Sequence, residues 1–201
     1  MRAEDVIATY AAGAEDYARL RARVLFERRW LDRWLAAAPR NARRLRVLDL
    51  GCGTGRPLAA YLTERGAEVT GVDAVPAMCA AFAAALPRAR VVEADMRGLD
   101  LGEVFDAILA WDSVFHLSAE DQRAMFATFA AHAAPGAALM FTSGPEAGTA
   151  IGDIAGRPLF HESLSPEDYR SCLEEAGFKV LDFRPEDPEC DFHSVWLARA
   201  V

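Results

Sequence analysis

The stretch over residues 47–57, VLDLGCGTGRP, constrains the fold more than any other part of the chain. Residues 46–50 are predicted to form a short buried strand, because apolar positions come almost without interruption and a glycine cluster ends them. Gly51, Gly53 and Gly55 then make a turn with little side-chain bulk, so the backbone can come close to a ligand. A strand, a glycine turn and a helix N-terminus in this order are typical of a nucleotide-type cofactor site in a doubly wound α/β sheet.

The spacing of the glycines separates two kinds of cofactor. A dinucleotide fingerprint runs G-x-G-x-x-G, and Arg56 stands where its third glycine belongs. The observed pattern is D-x-G-x-G-x-G, with Asp49 on the strand and Cys52 inside the turn. This pattern closely resembles the first motif of the class I S-adenosylmethionine (SAM)-dependent methyltransferases. An NAD site and a glycine turn without a ligand are the alternatives at this point.

The resemblance implies roles for the residues of this motif. In that family the glycine turn, which here includes Cys52, wraps the methionine and ribose part of SAM. The acid on the strand, here Asp49, helps to hold the amino end of the cofactor through the loop. We therefore expect SAM as cofactor and S-adenosyl-L-homocysteine (SAH) as its product.

Two further strands are predicted to end in acids. A strand over 67–72 ends at Asp73, and Asp73 and the next residue, Ala74, are predicted to contact the cofactor. An acid at this place can accept hydrogen bonds from both ribose hydroxyls of a cofactor, and it can also cap the next helix. A third strand ends with Asp95 and Met96, which the resemblance assigns to the adenine amino group and the adenine ring. A second acid of this kind is more typical of SAM sites than of dinucleotide sites, so it favours SAM over NAD.

The first 45 residues are predicted to form a helical extension in front of the sheet domain, which spans 46–201. Apolar side chains recur at helical spacing from Tyr17 to Leu35 and predict one or two helices that end near Pro39. Such an extension can pack on the edge of the sheet or fold over the cofactor as a lid.

The start of this extension carries Tyr10, Ala14, Tyr17 and Arg21. It is similar to a segment that covers the SAM site in relatives of this architecture. The resemblance implies that Tyr17 and Arg21 contact the methionine carboxylate of the cofactor. Packing of Tyr17 and solvent exposure of Arg21 are the structural alternatives.

The loop after the predicted fourth strand, 105–110, is expected to form the side where the reactive methyl points. Trp111 and Asp112 can line this side, and His116 is a candidate general base because the pKa of histidine suits proton removal near neutrality. The alternative for His116 is a buried histidine that orients the following helix. Asp112 and His161 are further candidate catalytic residues.

His161 lies in the segment 143–164, where repeated glycines and prolines predict an irregular loop that faces the substrate.

The other two histidines, His132 and His193, are assigned no catalytic role. His132 comes late in a helix, where a cation complements the helix dipole, and is interpreted as structural. His193 falls in the closing strand and is predicted to lie far from the site.

The end of the chain completes the predicted topology. Two strands, about 178–184 and 192–199, are joined by a short acidic link. A short link implies an antiparallel hairpin, because a parallel crossover needs a dozen or more residues. The fold class is therefore predicted as a Rossmann-like, doubly wound α/β domain. Its seven-stranded sheet is mostly parallel, with an antiparallel last strand, as the resemblance also implies.

The overall charge weighs against a nucleic-acid partner, because the net charge is −8. Residues 19–46 nevertheless hold ten arginines against Glu27 and Asp32. This local excess is interpreted as a solvated helix face, with an RNA or acidic protein surface as the alternative. No apolar run reaches the length of a membrane span, and the four cysteines show no C-x-x-C spacing, so a cytoplasmic protein without a metal site or membrane segment is expected.

The functional prediction follows from these patterns. We expect a SAM-dependent methyltransferase that transfers the sulfonium methyl to an oxygen, nitrogen or carbon of a small molecule. No Asn/Asp-Pro-Pro-Tyr and no Pro-Cys follow the fourth strand, which disfavours amino methylation of nucleic acids and cytosine-C5 chemistry. The alternatives are an RNA or protein methyltransferase that docks through the arginine-rich region, and a non-catalytic SAM-binding module.

Overall fold

The computed structural model describes residues 1–21, 24–40 and 43–201. Its main sheet has seven strands in the order β3-β2-β1-β4-β5-β9-β8. The strands of this sheet are β1 Arg46–Leu50, β2 Glu68–Asp73, β3 Arg90–Glu93, β4 Phe105–Ala110, β5 Ala133–Ser143, β8 Phe178–Asp187 and β9 His193–Ala200. Only β9 runs antiparallel to its neighbours, β5 and β8, among the described strand pairs of this sheet. The predicted Rossmann-like α/β fold with a reversed last strand is confirmed.

Six α-helices surround the sheet within the described part of the chain. They are α1 Val6–Leu20, α2 Arg28–Ala37, α3 Leu58–Glu64, α4 Pro76–Ala85, α5 Ala119–His132 and α6 Pro166–Glu175. Two of the helices begin with a side-chain cap. Ser118 accepts a hydrogen bond from the Asp121 amide at the start of α5, and Ser165 accepts one from the Asp168 amide at the start of α6.

The helices cover both faces of the sheet. On one face α2, α3 and α4 contribute buried side chains such as Trp34, Leu62 and Phe82. On the other face α5 and α6 contribute Phe129 and Leu173, among others. Strands covered on both faces are mostly apolar, and β1 and β4 each contain one buried acid, Asp49 and Asp106, among apolar residues.

The helix α2 belongs to the core rather than to a mobile cover. Its Trp34 is fully buried, and the indole Nε1 donates a hydrogen bond to the Ala138 carbonyl of β5 at 3.1 Å. Trp30 Nε1 donates to Asp187 Oδ2 at the end of β8, at 2.8 Å. Within the N-terminal region, therefore, α1 is the helix that remains to cover the carboxyl ends of the strands.

The segment 143–164 differs from its prediction as an irregular loop. It forms a separate two-stranded antiparallel sheet, β6 Gly148–Ile154 paired with β7 Arg157–Ser163. The two connecting residues, Ala155 and Gly156, have φ of 53° and 79°, and two positive φ values in a two-residue loop define the turn that suits the twist of a hairpin. Three of the four glycines that indicated irregularity, Gly148, Gly152 and Gly156, are part of this hairpin.

The hairpin and α1 pack on each other. Val6 of α1 is buried together with Ile154 of β6 and Leu159 of β7. The two elements therefore form one cover over the carboxyl ends of the sheet strands. None of the described helices is long and apolar enough to cross a membrane.

Candidate functional site

A cavity opens at the carboxyl ends of β1, β2 and β3, underneath α1 (the first cavity). The predicted cofactor residues that line it are Tyr17, Gly51, Gly53, Asp73, Ala74, Asp95, Met96 and Trp111. A smaller neighbouring cavity (the side cavity) is lined by the other four predicted residues, Arg21, Asp49, Cys52 and Gly55. The two cavities share Tyr17, Gly51, Trp111 and Asp112. The structure thus brings all twelve predicted cofactor residues together at two adjoining cavities.

The glycine turn is fixed by packing as well as by its backbone conformation. Gly51 has φ of 73°, and a Cβ there would lie 2.4 Å from the Cβ of Ser113. Gly55 also has φ of 73°, and a Cβ there would lie 2.7 Å from the ring of Phe82. Larger residues at these positions would collide with the loop after β4 or with α4. The two glycines therefore let neighbouring elements close around the turn, which adds to the prediction that they admit a ligand.

Asp73 connects the glycine turn to the end of β2. Its carboxylate accepts hydrogen bonds from the Gly53 amide and from the Val75 amide, both at 2.9 Å. Burial raises its pKa, and the two amide donors act in the opposite direction. Each carboxylate oxygen accepts only one of these bonds, so each keeps acceptor capacity for hydroxyl groups of a ligand. The local role beside α4 and the predicted ribose role are compatible.

Asp49 lies deeper, beneath the turn, and is 3% exposed. Burial, together with the nearby charge of Asp73, raises the pKa of its carboxyl group to about 7. A carboxyl group in this state gains its charge most easily beside a cation. The environment of Asp49 therefore suits the amino end of a ligand.

The end of α1 closes the side cavity. The ring of Tyr17 packs on the glycine turn, 3.5 Å from the position of a Cβ on Gly53. Arg21 forms a salt bridge with Glu27 at 2.7 Å, and its side chain is 15% exposed. Glu27 is fully buried, and its second oxygen, Oε2, has no hydrogen-bond partner among the described residues. The alternative of a solvent-exposed Arg21 is therefore wrong, because Glu27 draws the guanidinium into the structure.

Asp95 lies two residues beyond β3, which ends earlier than predicted, at Glu93. Its carboxylate pairs with Arg97 at 2.5 Å. Burial alone would raise the pKa of Asp95, but hydrogen bonds from the Arg97 side chain and amide hold the pKa below its usual range. Arg97 also lines the first cavity, which no pattern in the sequence predicted.

Two buried polar atoms of the first cavity lack partners within the described part of the chain. They are Nε1 of Trp111 and Oγ of Ser113, in residues that are 4% and 5% exposed. A buried polar group without a hydrogen bond is costly and is commonly completed by a ligand. Together with the glycine cradle and the two acids, these atoms fit a ligand that combines polar groups with an apolar ring.

His116 connects the two elements of the cover. Its Nδ1 lies 3.0 Å from the Phe160 carbonyl of β7, and its Nε2 lies 3.0 Å from the Tyr10 hydroxyl of α1. A carbonyl can only accept, so Nδ1 carries the proton and Nε2 accepts from Tyr10. Burial lowers the pKa of His116 to about 4. Both nitrogens are engaged, which favours the structural interpretation of His116 over the predicted base.

The prediction that His193 lies far from the site is wrong. Its Nε2 lies 3.1 Å from Oδ1 of Asp112, and its Nδ1 lies 2.8 Å from the Cys190 carbonyl. The imidazole stacks on the Trp111 indole, with ring centroids 5.3 Å apart. Burial alone would lower the pKa of His193, but the hydrogen bond and charge of Asp112 raise it to about 9. The reversed strand β9 starts beside the end of β5 and thereby delivers this cation to the site.

Asp112 itself is held in an uncommon backbone conformation, with φ of 48°. Its amide donates to Thr142 Oγ1 at 2.8 Å, and the Thr142 hydroxyl donates to Oδ1 of Asp112 at 3.3 Å. The loop after β4 is thus tied to the end of β5. This tie points the Asp112 side chain into the space between the two loops.

A second cavity of about 420 Å³ lies on the far side of Asp112. Its walls come from the loops after β4 and β5, from the hairpin and from the connection between β8 and β9; Asp112, Phe115, Glu146, His161, Glu186 and His193 are among its residues. Asp112 lines both the first and the second cavity. His161, a predicted catalytic residue, lies in the second cavity, and burial lowers its pKa. His132 is buried and bonded to the Thr128 carbonyl and the Leu101 amide, which fits a structural role; because its Nε2 accepts from that amide, the ring does not act there as the predicted cation.

Comparisons with known proteins agree with this geometry. Residues 47–136 match the family model described as a methyltransferase domain. Trans-aconitate 2-methyltransferase from Escherichia coli O1:K1 / APEC is 44% identical over 66 residues, which cover 32% of this chain and 26% of the relative. The match thus spans about a quarter of the length of this curated relative.

Solved structures resemble the whole chain. An amino pentose methyltransferase from Micromonospora echinaspora, solved with SAM, superposes with a TM-score of 0.71 at 22% identity and covers 96% of this chain and 97% of its own. A glycopeptide N-methyltransferase solved with SAH gives a TM-score of 0.71 at 19% identity, over 92% and 95% of the two chains. Residues 47–136 are thus similar to a methyltransferase domain, and the chain has the Rossmann-like fold of these solved methyltransferases.

Proposed function

We propose that this protein transfers the methyl group of SAM to a small-molecule acceptor. The observation that carries the proposal is the meeting of two cavities at Asp112. One cavity has the glycine turn and strand-end acids that suit a nucleoside cofactor, and the other leaves room for a separate molecule. Two ligands bound on either side of one residue are held in the arrangement that a group transfer needs.

The residues of the first cavity and the side cavity have separate tasks in this proposal. Asp73 accepts from the ribose hydroxyls, and Asp95 with Met96 holds the adenine. Asp49, Tyr17 and Arg21 hold the methionine end. When bound, SAM supplies an electrophilic methyl group on a sulfonium.

The residues around Asp112 act on the acceptor side. The molecule that receives the methyl group donates a hydrogen bond to Asp112 and is oriented by it. His193 and Thr142 keep the Asp112 carboxylate in place. Tyr10 and His116 hold α1 and the hairpin together, which limits the access of water to the first cavity. In this proposal His116 is a positioning residue.

The alternative of docking to RNA through the arginine-rich region finds little support in the ion pairs. Seven of these arginines form salt bridges with carboxylates of the same chain: Arg19, Arg21, Arg28, Arg29, Arg33, Arg43 and Arg46. Arg23 lies outside the described residues. Guanidinium groups that are already paired offer less charge to phosphate groups.

The four cysteines bear on the compartment of the protein. Cys52, Cys79, Cys172 and Cys190 are free thiols, which supports the expectation of a reducing, cytoplasmic compartment.

The first experiment combines SAH binding with methyl transfer. The protein is incubated with methyl-labelled SAM and a desalted cell extract, and the products are separated by size. Label in the small-metabolite fraction supports the proposal, and label on RNA or protein contradicts it. SAH binding by calorimetry without any transfer supports the alternative of a binding module.

A further inference from the structure

The second cavity has a chemical character that indicates which acceptor it takes. We propose that it binds an organic amine, and this inference rests on the proposed methyl transfer. Three observations carry it: the charge of the cavity wall, the aromatic rings in that wall and the state of the histidines near Asp112.

The wall of the second cavity carries five carboxylates and, among the described residues, no lysine or arginine. The carboxylates belong to Asp112, Glu146, Glu162, Glu186 and Asp191. The positive charge of His193 is already paired with Asp112, and one oxygen of Glu162 accepts from the Ala119 amide. The remaining three form no salt bridge within the described part of the chain. Such a wall attracts a cation and repels an anionic acceptor.

Two aromatic rings complete this wall. Phe115 lies in it beside His161, with ring centroids 4.9 Å apart. Phe192 is 68% exposed and has φ of 58°, a conformation that costs free energy for a bulky residue. An exposed ring next to carboxylates suits an organic cation, which gains from the faces of aromatic rings.

The carboxylates do not form a metal site. No group of three or more histidine, cysteine, aspartate or glutamate residues among the described ones could hold a metal ion. The acids are spread around the cavity: Asp112, Glu146 and Asp191 lie in three loops, whereas Glu162 and Glu186 lie in β7 and β8. They therefore suit a larger cation of low charge density rather than a bare divalent ion.

The chemistry of an amine fits the groups present. After the ammonium form loses a proton to solvent, the nitrogen lone pair forms the N–C bond while the C–S bond breaks, and its electron pair stays on sulfur. The positive charge therefore passes from sulfur to nitrogen, where the carboxylates stabilise it. A hydroxyl acceptor needs a base during transfer. Both nitrogens of His116 and both nitrogens of His193 are already engaged, so neither ring is free to take a proton, and of these three histidines only His161 keeps an unpaired nitrogen.

Binding to the SAH-loaded protein tests the cavity without any turnover. Benzyltrimethylammonium, which cannot be methylated, is compared with benzyl alcohol and phenylacetate by calorimetry. The cation is expected to bind most tightly of the three compounds, and its affinity is expected to decrease with added salt. Glu146→Gln and Glu186→Gln are each expected to weaken it about two- to fivefold, whereas Glu64→Gln, an equal charge change on the exposed end of α3, leaves it unchanged. Tighter binding of phenylacetate, or equal losses in all three variants, overturns the inference.

The labelled products test the reaction itself. After charcoal has removed unreacted SAM, the small-molecule products of the extract assay are treated with mild alkali and passed over a cation exchanger. Label that stays on a retained cation supports the amine. Label released as methanol, as from a methyl ester, or found on an uncharged ether overturns the amine but leaves the methyl transfer intact. No label in any fraction overturns both proposals.

Discussion

The first and the second cavity meet at Asp112 but are built in opposite ways. The two strand-end acids of the first cavity are held by the protein itself, Asp73 by two backbone amides and Asp95 by Arg97. In the second cavity Glu146, Glu186 and Asp191 are exposed, and their carboxylates are not paired with cations of the described chain. This difference indicates that the first cavity is built for one fixed ligand, the cofactor. The second cavity then determines which acceptor the protein binds.

Two histidines express the same contrast in their protonation. His116, under the cover of the first cavity, has a pKa lowered to about 4 by burial and is neutral near pH 7. His193, beside Asp112, has a pKa raised to about 9 and is charged. The neutral ring holds two structural elements together, and the charged ring holds a carboxylate. The two halves of the site can therefore be perturbed separately.

The largest expected effect is on the packing of the glycine turn. Gly55→Ala is expected to lower the free energy of unfolding by about 2–4 kcal/mol, because it combines positive φ with a collision against Phe82. Gly98→Ala is the matched control: it has positive φ of 61° but open space around the new Cβ, so about 1 kcal/mol is expected. Urea denaturation measures both. Equal losses would show that backbone conformation alone requires the glycine.

The second effect separates cofactor binding from acceptor binding. Asp73→Ala is expected to weaken SAH binding by about 1–3 kcal/mol, since buried hydroxyl groups of the ligand lose their acceptor. Asp112 lines both cavities, and Asp112→Asn is expected to change SAH affinity by less than about 0.5 kcal/mol while the rate of methyl transfer decreases. Calorimetry and the label assay give the two readouts. Unchanged SAH affinity in Asp73→Ala removes Asp73 from the ribose role.

The third effect concerns the charged pair of Asp112 and His193. Because the folded-state pKa of His193 is raised above its unfolded value of about 6.5, its stabilisation is fully present below that pH and disappears as pH rises through about 9. His193→Gln is expected to remove about 1–2 kcal/mol of stability at pH 6 and much less at pH 10. Unfolding measured across this range checks it. A loss independent of pH would mean that His193 contributes packing rather than charge.

The smallest effect concerns the cover of the first cavity. Tyr10→Phe removes the hydroxyl that donates to His116 and is expected to weaken the contact between α1 and the hairpin by about 0.5–1.5 kcal/mol. SAH should then dissociate about two- to tenfold faster, which stopped-flow displacement measures. Tyr61→Phe removes a hydroxyl that donates to Asp32, remote from both cavities, and serves as the control. Equal dissociation rates in both variants would remove α1 from the role of a cover.

The same contrast explains how much could be predicted from the sequence. The parts of the first cavity lie at the ends of consecutive strands, so the motif at 47–57 and the acids Asp73 and Asp95 were visible as local patterns. Parallel strands then bring their carboxyl ends to one edge, and no further information is needed to place these residues together.

The second cavity gave no such local signal. Asp112 and His193 meet because the reversed strand β9 pairs with β5, a long-range arrangement that spacing along the chain does not encode. The hairpin at 148–163 was mistaken for an irregular loop because its glycines dominate the composition, while its pairing depends on the turn at Ala155 and Gly156. Arg97 was missed because a surface arginine carries no pattern of its own.

A crystal structure of the protein with SAH tests the central claim most directly, because it shows both cavities at once. The account predicts the ribose hydroxyls on Asp73, the adenine beside Met96 and the sulfur next to Asp112, with the second cavity free for an acceptor. SAH that occupies the second cavity, or whose sulfur points away from Asp112, would contradict the division of the site into a cofactor half and an acceptor half.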